Sequence, residues 1–311
     1  DPRQKAEAVD VLAKQVLALE RWIEHRLTEE AQRPPLDRLL ETLRALMEQD
    51  LEPDPNGAGK GLRLAKHVAS ERQISVEDPE MRHGRKSKSR CINGYKRHIV
   101  TDLDTEAILS CAVTPANRAD HEALPALNQD MDMQGIRLAE AHFDRGYMAS
   151  PIVAKWHAQG TTILCKPWKA GNTRNPAMFA KDAFKLNLRD MTITCPAGQT
   201  QPIVLGEMAR FDPQLCDDCD LRPRCTSAKK GNYRTVQIAA DEPLQKKLRK
   251  LAKMPSGRKR FRERIVVEHK LAHLGQRQGL RARYHGTRKN LYDTRRAASI
   301  QNLEVAMRKA A

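Results

Sequence analysis

The 311-residue sequence is poor in aromatic residues, since 3 Trp, 5 Tyr and 5 Phe make up only 4% of it. Hydrophobic residues nevertheless reach 40%, so the expected core is aliphatic. No apolar run approaches the roughly 20 residues that span a membrane, and no signal peptide opens the chain. We therefore expect neither a membrane-spanning nor a secreted protein, and by default a cytoplasmic location.

Acidic residues are also scarce, because 39 Asp and Glu face 55 Lys and Arg, for a net charge of +16. The excess lies in residues 241–311, which carry 20 basic and 6 acidic side chains, whereas residues 1–50 carry 8 and 11. This distribution indicates a polyanionic partner, most simply nucleic acid. The chain opens with Asp1-Pro2 rather than Met, so we expect it to be a fragment of a longer protein.

The N-terminal part is expected to be a helical hairpin within residues 1–52. Apolar residues at three- and four-residue spacing predict helices over residues 5–27 and 36–50. A loop-rich basic linker follows over residues 53–90, with a short helix at residues 62–70. The basic run at residues 83–90 is expected to form no regular element, and is either a solvated loop or a phosphate-contacting one.

Residues 91–166 alternate between strand and helix patterns. Strands are predicted at residues 95–101 and 108–113, with a turn between them, and helices at residues 117–130 and 150–159. A third strand ends at Asp144 and a fourth covers residues 161–166. This order predicts an α/β sheet of mixed direction.

Two carboxylates stand out by their positions. Asp144 ends a predicted strand, where open sheets place their ligands, although an Asp there can also open a turn or cap a helix. Residues 261–274 predict a helix whose wheel puts Arg264 and Glu268 in the apolar half. A buried carboxylate needs a charged partner or a metal, so we interpret Glu268 as a site residue rather than half of an exposed ion pair.

Residues 167–240 form a turn-rich segment that contains four of the seven cysteines, namely Cys195, Cys216, Cys219 and Cys225. A Cys-x2-Cys pair flanked by two further thiols is typical of a structural zinc site, with four free thiols as the alternative. Four thiolates would leave no coordination position open for chemistry. The other three cysteines, at positions 91, 111 and 165, are interpreted as core residues.

Two motifs together resemble those of the DDE transposases of bacterial insertion sequences. They are Asp-x-Gly-Tyr at residues 144–147 and Phe-x-x-Arg-x-x-x-Glu at residues 261–268, and the resemblance runs from about Glu77 to the C-terminus. It departs from the family at Phe261, where Tyr is frequent, and at Gly275, where a basic residue is frequent. The resemblance implies an RNase H-like fold with a cysteine-rich insertion, and residues 241–311 would complete the core with the Glu helix.

The resemblance also implies a catalytic site. Asp144 and Glu268 would bind two Mg2+ or Mn2+ ions, Arg264 would contact a phosphate, and Tyr147 would line the DNA channel. The family's first catalytic Asp is expected on a strand that precedes residue 1, so this chain alone is expected to bind DNA without cleaving it. Asp102 is a rival candidate, but it falls in a predicted turn.

The implied partners are transposon-end and target DNA, with a homodimer in the DNA complex and a nucleoid-associated location. The expected DNA-contacting residues are Arg85, Lys86, Lys88, Tyr147, Arg281, Arg283, Tyr284, Arg288, Lys289, Arg295 and Arg296. The alternative function is a catalytically inactive, zinc-containing DNA-binding remnant of such a transposase.

Overall fold

The computed structural model describes residues 2–54, 61–87, 89–168, 175, 177–279 and 281–311. The fold is mixed α/β, as the sequence predicts. It comprises two compact units: one contains the chain up to Ile136 together with Val266–Ala311, and the other contains Arg137–Ile265. In the described residues, no helix combines the length and the apolar character that a membrane span requires.

The first unit begins with the predicted pair of helices, α1 (Pro2–Arg26) and α2 (Leu36–Asp50). Arg44 of α2 holds the pair together through an ion pair with Glu24 of α1, at 2.5 Å between Nη2 and Oε1. The apolar stripe of α1 is only partly covered, because Leu12 remains 61% exposed.

Two short strands follow, β1 (Leu51–Pro53) and β2 (Leu62–Leu64), and they pair antiparallel. The helix predicted at residues 62–70 is therefore wrong. Arg63 lies opposite Glu52 in the ladder and forms an ion pair with it at 2.7 Å. Strand β2 depends on this pairing with β1, and a local helical pattern does not reveal such pairing.

The main sheet of this unit contains β3 (Arg82–Arg85), β4 (Cys91–Thr101) and β5 (Ile108–Pro115), all antiparallel. The basic run at residues 83–90, expected to form no regular element, thus enters the sheet through its first three residues. Gly84 permits this, because a Cβ there would lie 2.1 Å from the carbonyl oxygen of Ala116. The sheet is followed by α3 (Leu124–Met133), somewhat later than the predicted helix.

The second unit contains β6 (Glu140–His142), α4 (Pro151–Ala158) and β7 (Thr162–Leu164). The two strands pair in parallel, with Glu140 opposite Thr162. Ser150 caps α4 by accepting a hydrogen bond from the Ile152 amide, and Pro151 occupies the first turn.

The cysteine-rich insertion has short strands and a core of its own. Its elements are β8 (Lys185–Asn187), β9 (Thr192–Thr194), β10 (Thr200–Pro202), β11 (Met208–Arg210), α5 (Pro213–Asp217), α6 (Arg222–Cys225) and β12 (Thr235–Gln237). Its core consists of Phe184, Ile193, Ile203, Ala209, Phe211, Val236 and Ile238. Seven buried apolar residues within 60 positions explain how so turn-rich a segment packs.

The second unit ends with α7 (Glu242–Lys253) and α8 (Pro255–Arg260). Glu242 is fully buried and forms ion pairs with both Lys181 and Arg249. Burial alone would raise the pKa of this carboxyl, but the two cations and the Ala239 amide outweigh it and lower the pKa. The insertion, through Lys181, is thereby fastened to α7.

The last two helices are α9 (Ile265–Gln278) and α10 (Thr287–Ala310). Residues 261–264, predicted as the first turn of α9, form a separate turn instead, whereas α10 is longer than the predicted residues 292–307. In the first unit, both helices pack on the β4–β5 hairpin. Their shared core consists of Ile99, Ile108, Cys111, Leu274, Ala297 and Ala298.

Candidate active site and DNA-contacting residues

Asp144 lies two residues after β6, at the carboxyl end of a parallel strand pair. The Phe143 amide continues the pairing by donating to the Leu164 carbonyl at 3.3 Å, and a short 3-10 turn begins at Arg145. Asp144 occupies the cap position of that turn, but its side chain makes no capping hydrogen bond and is 60% exposed. The capping interpretation therefore does not explain this carboxylate.

Alternate residues in and just after β6 contact residues at the end of α8 and in the turn that follows it. Glu140 forms an ion pair with Arg260 at 2.5 Å and Asp144 forms one with Arg264 at 2.5 Å, while the His142 imidazole lies 3.7 Å from the Glu263 carboxylate. The two-residue spacing puts all three side chains on one face of the strand. Glu140 and His142 were not predicted as site residues, although three ionisable residues at alternate positions indicate a shared face.

Positive charge surrounds the Asp144 carboxylate within the second unit. Besides Arg264, Arg145 lies next in sequence, and its buried Nε has no hydrogen-bond partner among the described residues. Cys165 lies close to all three of these residues, and burial raises the pKa of its thiol to about 12. The thiol therefore remains neutral, and the local charge is set by one carboxylate and two guanidinium groups.

Glu268 lies on α9 in the first unit and is exposed. The expectation that it is buried in an apolar half is wrong, because the buried side chains of α9 are Lys270, Leu274 and Gln278. Lys270 reaches Glu106 at 2.9 Å, which offsets the burial of its charge. The packed face of α9 thus includes a lysine whose anionic partner, Glu106, lies outside the helix, and the helical wheel could not anticipate this partner.

Asp144 and Glu268 lie in different units, and their convergence stays a prediction. Within the part of the chain that the structure describes, no group of three His, Cys, Asp or Glu side chains has the arrangement of a metal site. The rival Asp102 accepts hydrogen bonds from the amide and the hydroxyl of Thr105, at 3.0 and 2.5 Å. These bonds hold the pKa of Asp102 below its ordinary value, and they commit this carboxylate to its own turn.

The predicted DNA-contacting residues are mostly at the surface. Arg85, Lys86, Arg281, Arg283, Tyr284, Arg288, Lys289, Arg295 and Arg296 are exposed, and Tyr147 is partly buried. Lys88 lies outside the described residues. Apart from Arg85 and Lys86, the exposed residues lie in the segment just before α10 or within α10 itself.

Three of these arginines also have structural partners. Arg283 donates to the carbonyl oxygens of Gln278 and Arg277, at 3.1 and 3.0 Å, and so satisfies the C-terminal end of α9. Arg295 pairs with Asp130 at 2.6 Å, and Arg296 pairs with Asp293 at 2.8 Å.

The four clustered cysteines line one cavity of about 20 Å³ in the insertion, together with Phe179, Arg222 and Arg234. None of the four forms a disulfide. Burial raises the pKa of the Cys225 thiol, and the neighbouring thiols contribute to the rise. Of the other cysteines, Cys111 and Cys165 are buried as predicted, but Cys91 is exposed at the start of β4.

Comparison with known proteins gives one match. The family model described as the transposase DDE domain matches residues 61–293, which is more than half of the chain. No curated protein and no solved structure matches the chain.

Proposed function

Since the chain belongs to the transposase DDE domain family, we propose that it cuts transposon-end DNA and joins the freed end to target DNA. The observation that carries this proposal is the family match combined with the position of Asp144, an exposed carboxylate at the carboxyl end of a parallel strand. Divalent metal ions serve this family in general. When bound, two such ions would activate the attacking oxygen and stabilise the leaving one.

Asp144 and Glu268 are the proposed metal ligands. Both present exposed carboxylates, and hard oxygen ligands are those that Mg2+ and Mn2+ prefer. Arg264 forms an ion pair with Asp144 at 2.5 Å. We propose that a metal ion would replace Arg264 as the partner of Asp144 and that Arg264 would then bind a DNA phosphate. A guanidinium group binds carboxylate and phosphate in the same geometry.

The exposed basic residues before and within α10 are proposed to hold the DNA backbone. Arg281, Arg288 and Lys289 form no ion pair among the described residues, so their charges are available to phosphates. Contacts of this kind position a duplex without reading its sequence.

The cysteine-rich insertion is proposed to bind one structural zinc ion. The support is that four thiols from separate turns line the same small cavity. Zinc would draw them into tetrahedral geometry, which the described side chains do not have.

Binding of Mn2+ in the presence of duplex DNA tests the catalytic proposal, with electron paramagnetic resonance as the readout. We expect Asp144→Asn and Glu268→Gln each to weaken the same Mn2+ binding by at least about tenfold to a hundredfold, a loss that even outer-shell groups can cause. The matched controls Asp182→Asn and Asp104→Asn remove exposed carboxylates from the same two units and should leave Mn2+ binding unchanged. Unchanged Mn2+ binding in both test variants would contradict the shared site. Intact DNA binding without any Mn2+ binding would favour the inactive DNA-binding remnant.

A further inference from the structure

One face of α7 carries four exposed lysines, Lys246, Lys247, Lys250 and Lys253. Their spacing of one, four and seven residues places them together on the helix. The opposite face is buried through Leu244 and Leu248, which are 5% and 1% exposed. The helix is thus divided into an apolar side and a cationic side.

Buried polar contacts fix which side of α7 faces outward. Gln245 is 1% exposed; it accepts a hydrogen bond from the Trp168 amide at 2.9 Å and donates to Asp241 at 2.7 Å. Glu242 is held by Lys181 and Arg249. Rotation of the helix would break these contacts inside the core, so the lysines remain presented to solvent.

These lysines lack the acidic neighbours that the chain supplies elsewhere. Residues 243–262 contain nine basic and no acidic side chains, and among the described residues none of the four lysines pairs with a carboxylate. By contrast, Lys14 in α1 pairs with Asp10 four residues earlier, at 2.6 Å. Like charges three and four residues apart destabilise a helix, so an external anion would stabilise α7.

The cationic side continues into α8. Arg258 and Lys259 are exposed there, and Arg258 donates to the Lys253 carbonyl at 2.9 Å. Gly257 permits this close approach, because a Cβ at that position would lie 2.0 Å from the Leu251 carbonyl oxygen. The α7 surface is defined here as Lys246, Lys247, Lys250, Lys253, Arg258 and Lys259.

We propose that the α7 surface binds the phosphate backbone of duplex DNA, as a second contact besides the basic residues at positions 281–296. The proposal rests on the proposed function for its choice of polyanion. Lysine ammonium groups are flexible point charges that suit phosphates rather than base edges. The stripe from Lys246 to Lys253 is about 10 Å long, and a duplex presents roughly six phosphate charges over that length.

The test measures affinity for a short duplex of arbitrary sequence as a function of salt, without divalent metal ions. The test variant changes all four α7 lysines to Gln, which has a similar helix propensity. We expect its slope of log affinity against log salt to become shallower by about 2 to 4, since each phosphate contact contributes about 0.9. The matched control changes four exposed cations of the insertion to Gln, namely Lys185, Arg189, Lys229 and Lys230.

The control variant loses the same net charge in the same unit, so it should keep most of the wild-type slope. A variant with Arg at the four α7 positions should bind like wild type, which excludes misfolding as the cause of any loss. An equal reduction of the salt slope in the test and control variants would overturn the proposal that the α7 surface binds DNA, while leaving the proposed function intact. If the variant with Gln at the four α7 positions lost affinity for single-stranded DNA only, the assignment of duplex DNA as the partner would be overturned. Absence of duplex binding by the wild-type chain would overturn the proposed function as well.

Discussion

At the scale of single residues, hydrogen-bond partners separate Asp144 from Asp102. Asp102 uses its carboxylate to close its own turn through Thr105. Asp144 begins a turn without bonding to it and forms an ion pair with Arg264 instead. An arginine can be displaced by a metal ion or shared with a phosphate, whereas the turn of Asp102 would be lost. This difference favours Asp144 as the ligand.

His98 is a buried histidine that lies outside the proposed site. It is 3% exposed and contacts the Thr114 hydroxyl at 2.9 Å, and burial lowers the pKa of its imidazole to about 4. In the unfolded chain the imidazole of His98 has the ordinary histidine pKa of about 6.5. The unfolded state therefore takes up more protons than the folded state between these values. The contribution of His98 to the free energy of unfolding is therefore complete above pH 6.5. It falls, by up to about 3 kcal/mol, as the pH drops towards 4.

Urea unfolding of wild type and His98→Gln at pH 7 and pH 5 measures this contribution. We expect His98→Gln to be less stable at pH 7 but to lose less stability on acidification. An imidazole of His98 that titrates near pH 6.5 in the folded protein, as seen by NMR, would contradict the assignment.

At the scale of elements, the insertion combines an apolar core with a cavity lined by thiols. Purified protein should contain about one zinc ion per chain, with sulfur ligands at about 2.3 Å by X-ray absorption. Cys195→Ser and Cys219→Ser should each lose the metal, and chelation should lower the melting temperature of the second unit because metal binding contributes to folding.

Cys91→Ser is the matched control for this prediction. Cys91 is exposed on β4, outside the cavity, so its removal should leave the zinc content unchanged. Protein without zinc, or with zinc that survives both cavity variants, would show that the four thiols are unliganded.

The ion pair of one buried lysine sets which face of the helix α9 packs inward. Lys270 is buried against Glu106, which sits in the β4–β5 turn with a left-handed φ of 60°. Such a φ is uncommon for a residue other than glycine. The pair draws the Lys270 side of α9 onto the hairpin, and Glu268, two positions earlier, is left exposed.

At the scale of the whole molecule, each unit has a buried carboxylate that joins distant parts of the chain. In the first unit, Asp78 is 3% exposed and accepts hydrogen bonds from the Tyr95 hydroxyl at 2.6 Å and the Gly286 amide at 3.2 Å. In the second unit, Glu242 is bound by Lys181 and Arg249. Each carboxylate therefore connects segments that are far apart in the sequence.

We expect Asp78→Ala to destabilise the first unit by about 2 to 5 kcal/mol, because two buried donors lose their acceptor. Glu242→Ala should destabilise the second unit by about 3 to 5 kcal/mol, because it removes a buried carboxylate and leaves two half-buried cations unpaired. Hydrogen exchange should show lost protection mainly in the unit that carries the substitution. Lys246→Ala, an exposed change on α7, should have an effect below about 0.5 kcal/mol. Equal loss of protection in both units for either variant would show that the two units unfold together.

Most elements were predictable because their signals are local. The α2 helix matches its predicted range of residues 36–50, and β4, β5 and α4 lie close to their predicted positions. The failures were β2, taken for a helix, and β3, taken for a loop. Both strands have only three or four residues, and each is defined by antiparallel pairing with the neighbouring strand rather than by a pattern of its own.

The sequence by itself determined the family, the mixed α/β class and the position of Asp144 at a strand end, because motifs, periodicity and turn residues act over a few positions. Only the tertiary structure decided the exposure of Glu268, the pairing of Arg264 with Asp144, and the gathering of four cysteines around one cavity. It also decided that the lysines of α7 face outward, since buried Glu242 and Gln245 orient that helix. These outcomes depend on partners far apart in the chain, and a helical wheel or a spacing rule contains no information about which distant charge lies opposite.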